Sequence, residues 1–290
     1  MAAKPRVTIV GPGNLGTALA LSLRKAGYTI EEIVARNDAG SLARARKVAA
    51  LLSGRRRGGP PVCSIRTAAL KSELVWLCMP DREISAAAQS LASKANWRGK
   101  IALHCSGALS SLELAALKAK GAGVASVHPL MTFVRNVRPS LRGVPFALEG
   151  DRIAAAAARR IVRDLGGEAF SLSKQYKPAY HAWGGFTSPL LVALLVAGEQ
   201  VAAQAGIGRA LARRRMVKIV HQTIENYFAR GPAGAFSGPI VRGDIATVQK
   251  HLKTLSQIPD ARQVYLALAR SALKYLPGKN KRELSRVLEG

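Results

Sequence analysis

One stretch near the start, residues 7–36, constrains this chain more than any other. A β-branched run, Val7-Thr8-Ile9-Val10, leads into Gly11-Pro12-Gly13-Asn14-Leu15-Gly16, and a helix-patterned segment follows to a stop at Gly27. Strand, glycine loop and helix in that order make a grip for a dinucleotide. Gly11 can turn tightly off the strand, Gly13 lets a pyrophosphate approach the backbone, and Gly16 removes a side chain where helix and strand pack. The helix N-terminus adds unpaired N–H groups and partial positive charge for the anion. Gly11, Gly13, Asn14, Leu15 and Gly16 are therefore the expected cofactor loop. A second strand-like run, 32–35, ends in Arg36, 20 residues after Gly16. An acidic residue there would suit the ribose hydroxyls of NAD, whereas an arginine suits the 2′-phosphate of NADP, with Ser41 and Arg44 as helpers.

The rest of the chain extends this pattern. Strand-like runs near 62–65, 74–78, 100–104 and 124–127 alternate with helical patterns at 41–52, from 81 through 92, and from about 110. Such alternation reads as α/β, an N-terminal doubly wound parallel sheet of the Rossmann kind. Ligands sit at the carboxyl ends of such strands, where Pro80-Asp81, Ser106-Gly107 and His128 fall. A further strand at 145–149, a helix at 151–165 and a strand at 169–172 complete the sheet. Beyond 174 only helical patterns remain, at 178–205, 209–228, 244–257 and 259–276, interrupted by a Gly/Pro-rich loop at 231–243. The reading is two domains, 1–175 for the nucleotide and 176–290 all-helical.

Composition narrows the class. The chain has 290 residues and 48% hydrophobic content, enough for two ordinary cores. Residues 1–6 lack the apolar core of a signal peptide, and the most apolar run, 190–197, falls short of the ~18 residues of a membrane span. A buried helix and a cytoplasmic protein are expected. Cys63, Cys78 and Cys105 offer neither a disulfide framework nor metal-ligand spacing, so no metal is expected. The formal charge is +27, from 44 basic and 17 acidic residues, a field that draws anionic ligands. Its clusters (55–57, 213–215 and 279–282) are short and not interleaved with aromatics, so nucleic acid is not the expected partner. A small-molecule substrate is.

Three segments could carry chemistry. In Lys177-Pro178-Ala179-Tyr180-His181-Ala182-Trp183-Gly184-Gly185-Phe186-Thr187-Ser188-Pro189, helical spacing puts Lys177, His181, a glycine and Ser188 on one face. An imidazole there can donate or accept a proton near neutral pH. It could equally be a hydrogen-bonded junction residue, and Ser188-Pro189 could be an N-cap and N1 pair that breaks the helix. His128-Pro129 ends a strand, either lining a site or fixing a turn. In Ser237-Gly238-Pro239-Ile240-Val241-Arg242-Gly243-Asp244, Arg242 could grip a carboxylate, and Asp244 reads best as the next helix's N-cap. Cys105 beside His104 suggests a thiol nucleophile, but nothing supplies an oriented base.

Taken together and in order, GPGNLG, the strand-end MPD, HCSG, SVHPLMTF, YHAWGGF and SGPIVRGD resemble a known group over nearly the whole chain. It is the bacterial Rossmann-like oxidoreductases with a C-terminal helical domain of unknown function. They sit in the wider group of pyrroline-5-carboxylate reductase, deazaflavin-dependent NADP reductases and 6-phosphogluconate dehydrogenase-like enzymes. The resemblance implies a 6-phosphogluconate dehydrogenase C-terminal-like helical domain, NADP as cofactor, a homodimer formed through the helices, and reductase or dehydrogenase activity. The substrate class would be a small anionic carbonyl, imine or hydroxy compound. His181, His128, Ser188 and Arg242 are then the catalytic candidates. Relatives often carry an Asn where this chain has Pro189, so the acid–base role falls to His181. Two other readings stay open: a non-catalytic NADP-sensing protein with a polyanion-binding surface, and hydride transfer between NADP and a deazaflavin.

Overall fold

The computed structural model describes residues 3–53 and 58–289. The basic cluster at 55–57 lies outside them. The chain divides into two compact units, Met1–Gly185 and Phe186–Gly290. Residues 176–185, expected with the helical domain, pack with the first unit.

The first unit is built on one eight-stranded sheet. Its elements begin β1 (Val7–Val10), α1 (Asn14–Lys25), β2 (Ile30–Ala35), α2 (Ala39–Leu52), β3 (Val62–Ser64) and β4 (Leu74–Leu77). They continue with α3 (Asp81–Ala92), β5 (Ile101–His104), a 3-10 turn (Ser111–Leu114) and the short α4 (Ala115–Lys118). Then come β6 (Gly123–Pro129), β7 (Pro145–Gly150), α5 (Arg152–Asp164), β8 (Glu168–Ser171) and α6 (Lys177–Thr187), whose last residues run into the second unit. The strand order is β3-β2-β1-β4-β5-β6-β7-β8, with its switch point between β1 and β4.

Both faces of the sheet are covered, which is why β1 and β4 are apolar at nearly every position. Ile9, Ile33, Trp76 and Leu103 face a core shared with Leu19, Leu23, Val48 and Ile161 of α1, α2 and α5. Val34, Val75, Leu77 and Ala102 face the opposite core with Ile84, Leu91, Leu114 and Leu117. One departure from an all-parallel sheet is β7, which runs antiparallel to β6. A parallel return needs a crossover of a dozen or more residues, usually a helix. The segment between β6 and β7 forms no helix and lets the chain fold straight back.

The second unit comprises α7 (Pro189–Gln204), α8 (Arg209–Ala235), α9 (Pro239–Arg242), α10 (Ile245–Leu255), α11 (Pro259–Tyr275) and α12 (Lys281–Glu289). Val248, Leu266, Ala269, Leu273, Leu284 and Leu288 form its core. The single helix expected over 178–205 is broken at Ser188, whose φ of −131° and ψ of −81° leave the helical region, with Pro189 starting α7. Helix α8 is kinked at Gly231, where φ is +70°, just ahead of Pro232.

The expectation of a buried helix at 190–197 is corrected. Within the single chain α7 buries only Glu199, held by Arg213 through contacts of 2.7 and 2.8 Å, while Leu190, Val192, Leu194 and Val196 are exposed. Apolar composition showed that these residues seek cover, and among the described residues none covers Leu190, Val192 or Val196. By length and composition Lys174–Gln204 could cross a membrane, but its first part is held in the α/β unit by Lys177 and Tyr180.

Candidate functional site

The glycine loop occupies the carboxyl end of β1. Gly11 has φ +85°, and a Cβ there would lie 3.0 Å from the Met79 amide nitrogen. A Cβ on Gly16 would lie 2.6 Å from the Gly11 carbonyl oxygen and 3.0 Å from Cys78 Cβ. A Cβ on Gly13 would meet nothing within 4 Å. Gly11 and Gly16 are thus fixed by packing, whereas Gly13 faces open space of the kind a pyrophosphate needs. Asn14 is exposed, and its Nδ2 donates to the Phe133 carbonyl at 3.1 Å. Leu15 is partly buried against the core.

Beside the loop lies a cleft of about 470 Å³ lined by Gly11, Pro12, Gly13, Arg36, Ser41, Arg44, Met79, Pro80 and Glu83, among others. The Arg36 side chain is 64% exposed and only loosely engaged, 3.5 Å from Glu83 and 3.8 Å from Asp38. It can turn toward a phosphate at little cost. Asp38 itself caps α2, accepting from the Ser41 amide at 2.8 Å.

The next strand ends along the sheet carry the polar residues. Asp81 opens α3 after β4 and accepts from Ser106 Oγ at 2.8 Å, while Ser106 Oγ accepts from the Leu109 amide. Ser106 is therefore a buried link between the loops after β4 and β5, with its hydroxyl already committed. His104 is fully buried: its Nδ1 accepts from the Ser106 amide and its Nε2–H donates to the Ser110 carbonyl. Burial pulls this imidazole down to about 4. Locked neutral and doubly bonded, it cannot activate Cys105, whose Sγ lies 3.8 Å from Cys78 Sγ.

Gly107 is the floor of an imidazole pair. A Cβ placed on it would lie 2.7 Å from His181 Cδ2 and 2.8 Å from His128 Nε2. The two rings are 6.1 Å apart in an edge arrangement. His128 Nδ1 lies 2.9 Å from the Tyr180 hydroxyl. Burial, helped by nearby Lys177 and His181, draws His128 down to about 4 and burial pushes Tyr180 up to about 12, so both are neutral at pH 7. In the tautomer where the phenol O–H donates to Nδ1, the remaining proton of His128 sits on Nε2, which faces Gly107. His181 is exposed and reaches solvent directly.

Beneath the pair is Lys177, only 1% exposed. Its Nζ donates to the Ser106 carbonyl at 3.0 Å and to Ser126 Oγ at 2.7 Å, and Ser126 Oγ donates on to the same carbonyl. No carboxylate pairs with it among the described residues, and burial lowers its ammonium to about 8. Lys177, Tyr180 and His181 follow an i, i+3, i+4 spacing, so α6 turns all three toward the ends of β5 and β6. The sequence spacing placed Lys177 and His181 on one face; Tyr180 was missed, although the same spacing includes it.

Ser188 and Arg242 belong to the second unit. Ser188 sits at the break before α7, and Arg242 is exposed at the end of α9. Asp244 is the N-cap of α10, accepting from the Thr247 amide at 3.1 Å. His251 lies 3.2 Å from the Tyr265 hydroxyl, and His221 is on the surface. No group of three or more His, Cys, Asp or Glu side chains gathers as a metal site among the described residues.

Comparison with known proteins agrees with this anatomy. Residues 1–129 match a Rossmann-like domain, and residues 144–272 match a domain of unknown function, DUF2520. No curated protein sequence matches the chain. Among solved structures it is similar to a candidate NADP oxidoreductase from Bacteroides fragilis, with TM-score 0.75, 18% identity, and coverage of 92% of this chain and 97% of that one. A Thermotoga maritima protein gives TM-score 0.70, 23% identity and 98% coverage of each chain. An imine reductase from Pseudomonas gives TM-score 0.63, 20% identity and 94% of each. At such identities the likeness is one of fold. The chain is a Rossmann-like domain followed by a DUF2520 domain.

Proposed function

We propose that this protein is an NADP(H)-dependent oxidoreductase acting on a small anionic carbonyl, imine or hydroxy compound. The observation that carries the reading is the sequence of strand ends β1, β4, β5 and β6. It runs from an open glycine loop, past Pro80-Asp81 and Ser106-Gly107, to an imidazole pair resting on Gly107. The fit to a dinucleotide rests on Gly13, whose missing side chain leaves space where those of Gly11 and Gly16 leave none. The similar structures named for NADP oxidoreduction and imine reduction support the same direction.

In this reading the glycine loop and the N-terminus of α1 hold the pyrophosphate, and Arg36, Ser41 and Arg44 take the 2′-phosphate. Bound there, a nicotinamide supplies or takes the hydride. The chain's own residues position the substrate and manage the proton. His181, exposed and able to exchange with water, donates or accepts it. His128, held neutral with its Nε2–H facing Gly107, donates a hydrogen bond that orients the reacting oxygen or nitrogen. Lys177 ties the loop after β5 to strand β6 and keeps positive charge under the site, which favours an anionic substrate.

A homodimer through the helical domain belongs to the same proposal, because Leu190, Val192, Val196, Ile219 and Phe228 of α7 and α8 stand exposed in the single chain. The catalytic assignment is tested by a substrate screen followed at the nicotinamide absorbance. With the substrate found, His181→Ala should lower kcat by roughly 10²-fold or more while KM moves little. Full turnover by that variant would remove the assignment.

A further inference from the structure

A second cavity, of about 660 Å³, lies on the other side of the glycine loop. It shares Pro12, Gly13 and Arg44 with the cofactor cleft and extends along α1 and α2 to a turn at residues 134–137. Four cations line it: Arg44, Lys47, Arg135 and Arg138. No carboxylate lines it, and none of the four joins an ion pair among the described residues. Like charges converging on a concave wall repel one another unless an anion joins them. A surface serving only solubility would intersperse acids, as Arg6 does with Glu31 and Glu73 elsewhere on this unit.

The turn that brings two of these arginines is built for position. The Val137 amide closes it on the Val134 carbonyl at 3.3 Å, and Asn136 takes φ +65°, a conformation asparagine tolerates well. Asn14, from the glycine loop itself, donates to the Phe133 carbonyl immediately before the turn. The phosphate-binding loop thus tethers the segment that presents Arg135 and Arg138. We infer that this cavity is a phosphoryl-binding site in which Arg135 and Arg138, with Arg44 and Lys47, grip a dianionic phosphate group. Guanidinium forks match phosphate oxygens bidentately, and the lysine adds a mobile point charge. Where the phosphoryl group is the cofactor's own, the inference rests on the NADP reading above; where it belongs to a second phosphorylated ligand, it stands without that reading.

The test uses inorganic pyrophosphate as probe, titrated calorimetrically at low salt into the full-length protein. Three forms are compared: unchanged, Arg135→Ala/Arg138→Ala, and a control, Lys279→Ala/Arg282→Ala, that removes equal charge from the helical unit. All four substituted positions are exposed, so folding is retained and is checked by circular dichroism. The inference predicts at least about tenfold weaker binding for the first pair and no change for the control. Equal binding by all three forms, equal weakening in both pairs, or no binding by the unchanged protein would overturn it. Competition then separates the sources. If NADPH displaces pyrophosphate, and the first pair weakens NADPH more than NADH, the phosphoryl group is the cofactor's. If NADPH-saturated protein still takes up pyrophosphate, the cavity holds a second ligand. If pyrophosphate binds and NADPH does not, the site stands and the cofactor reading fails.

Discussion

Gly107 shows how one missing side chain shapes this site. Its neighbours His128 and His181 approach to distances no Cβ tolerates, so the imidazole pair exists because residue 107 is glycine. Gly107→Ala should leave the sheet folded, at a cost of about 1–3 kcal/mol, yet displace both rings and lower turnover far more than cofactor affinity. Melting curves with parallel cofactor titrations separate the two effects. A Gly107→Ala protein with full turnover would show that the pair is not the reacting site. His104 and His128 make a second prediction at this scale. Both are held near 4 when folded against an ordinary value of 6.5, so the unfolded chain binds protons that the folded one refuses between those limits. Their contribution is complete above about pH 6.5 and is lost as pH falls toward 4, with roughly 3 kcal/mol riding on His104 alone. Asp151 and Asp164 are held below the ordinary carboxylate value and act only at lower pH. Denaturant titrations across pH 4–7 should show stability rising with pH; a flat profile would contradict the buried-neutral assignment.

At the scale of elements, what was legible in the sequence was what local chemistry decides. The glycine loop, the apolar runs of β1 and β4, and the Asp244 cap all follow from residues within a few positions of one another. The direction of β7 did not, because it depends on the absence of a helix between β6 and β7 rather than on the strand's own composition. The break at Ser188 was visible as one of two options, and Pro189 decided it. The site was legible in part. Asp81, Ser106, Gly107 and His128 could be placed at strand ends from the alternation of elements. That Ser106 spends its hydroxyl on Asp81, or that Tyr180 reaches His128 across 52 residues, needed the folded chain. Lys177 is the clearest case. A lysine on a helix reads as solvated, and only the packing of α6 against β5 and β6 buries it.

For the whole molecule, the feature that composition could not resolve is where the apolar surface of α7 and α8 goes. Phe228 is 81% exposed and Ile219 67%, more bare side chain than a monomer comfortably carries. Sedimentation velocity should find a dimer at micromolar concentration, and Ile219→Glu/Phe228→Glu should shift it to monomer. A wild-type monomer would remove the dimer from the proposal. Under the two proposals the charge of +27 serves two anion sites in the α/β unit, the cleft at Arg36 and the cavity at Arg135 and Arg138.

The central claim is that the open glycine loop and Arg36 make this a site for NADP(H). Its most direct test is a nicotinamide-fluorescence titration of NADPH and NADH against the unchanged protein and Arg36→Ala. The account predicts that NADPH binds at least about tenfold more tightly than NADH, and that Arg36→Ala erases most of that difference while leaving NADH nearly unaffected. Failure of both nucleotides to bind, or a preference for NADPH untouched by the loss of Arg36, would contradict it.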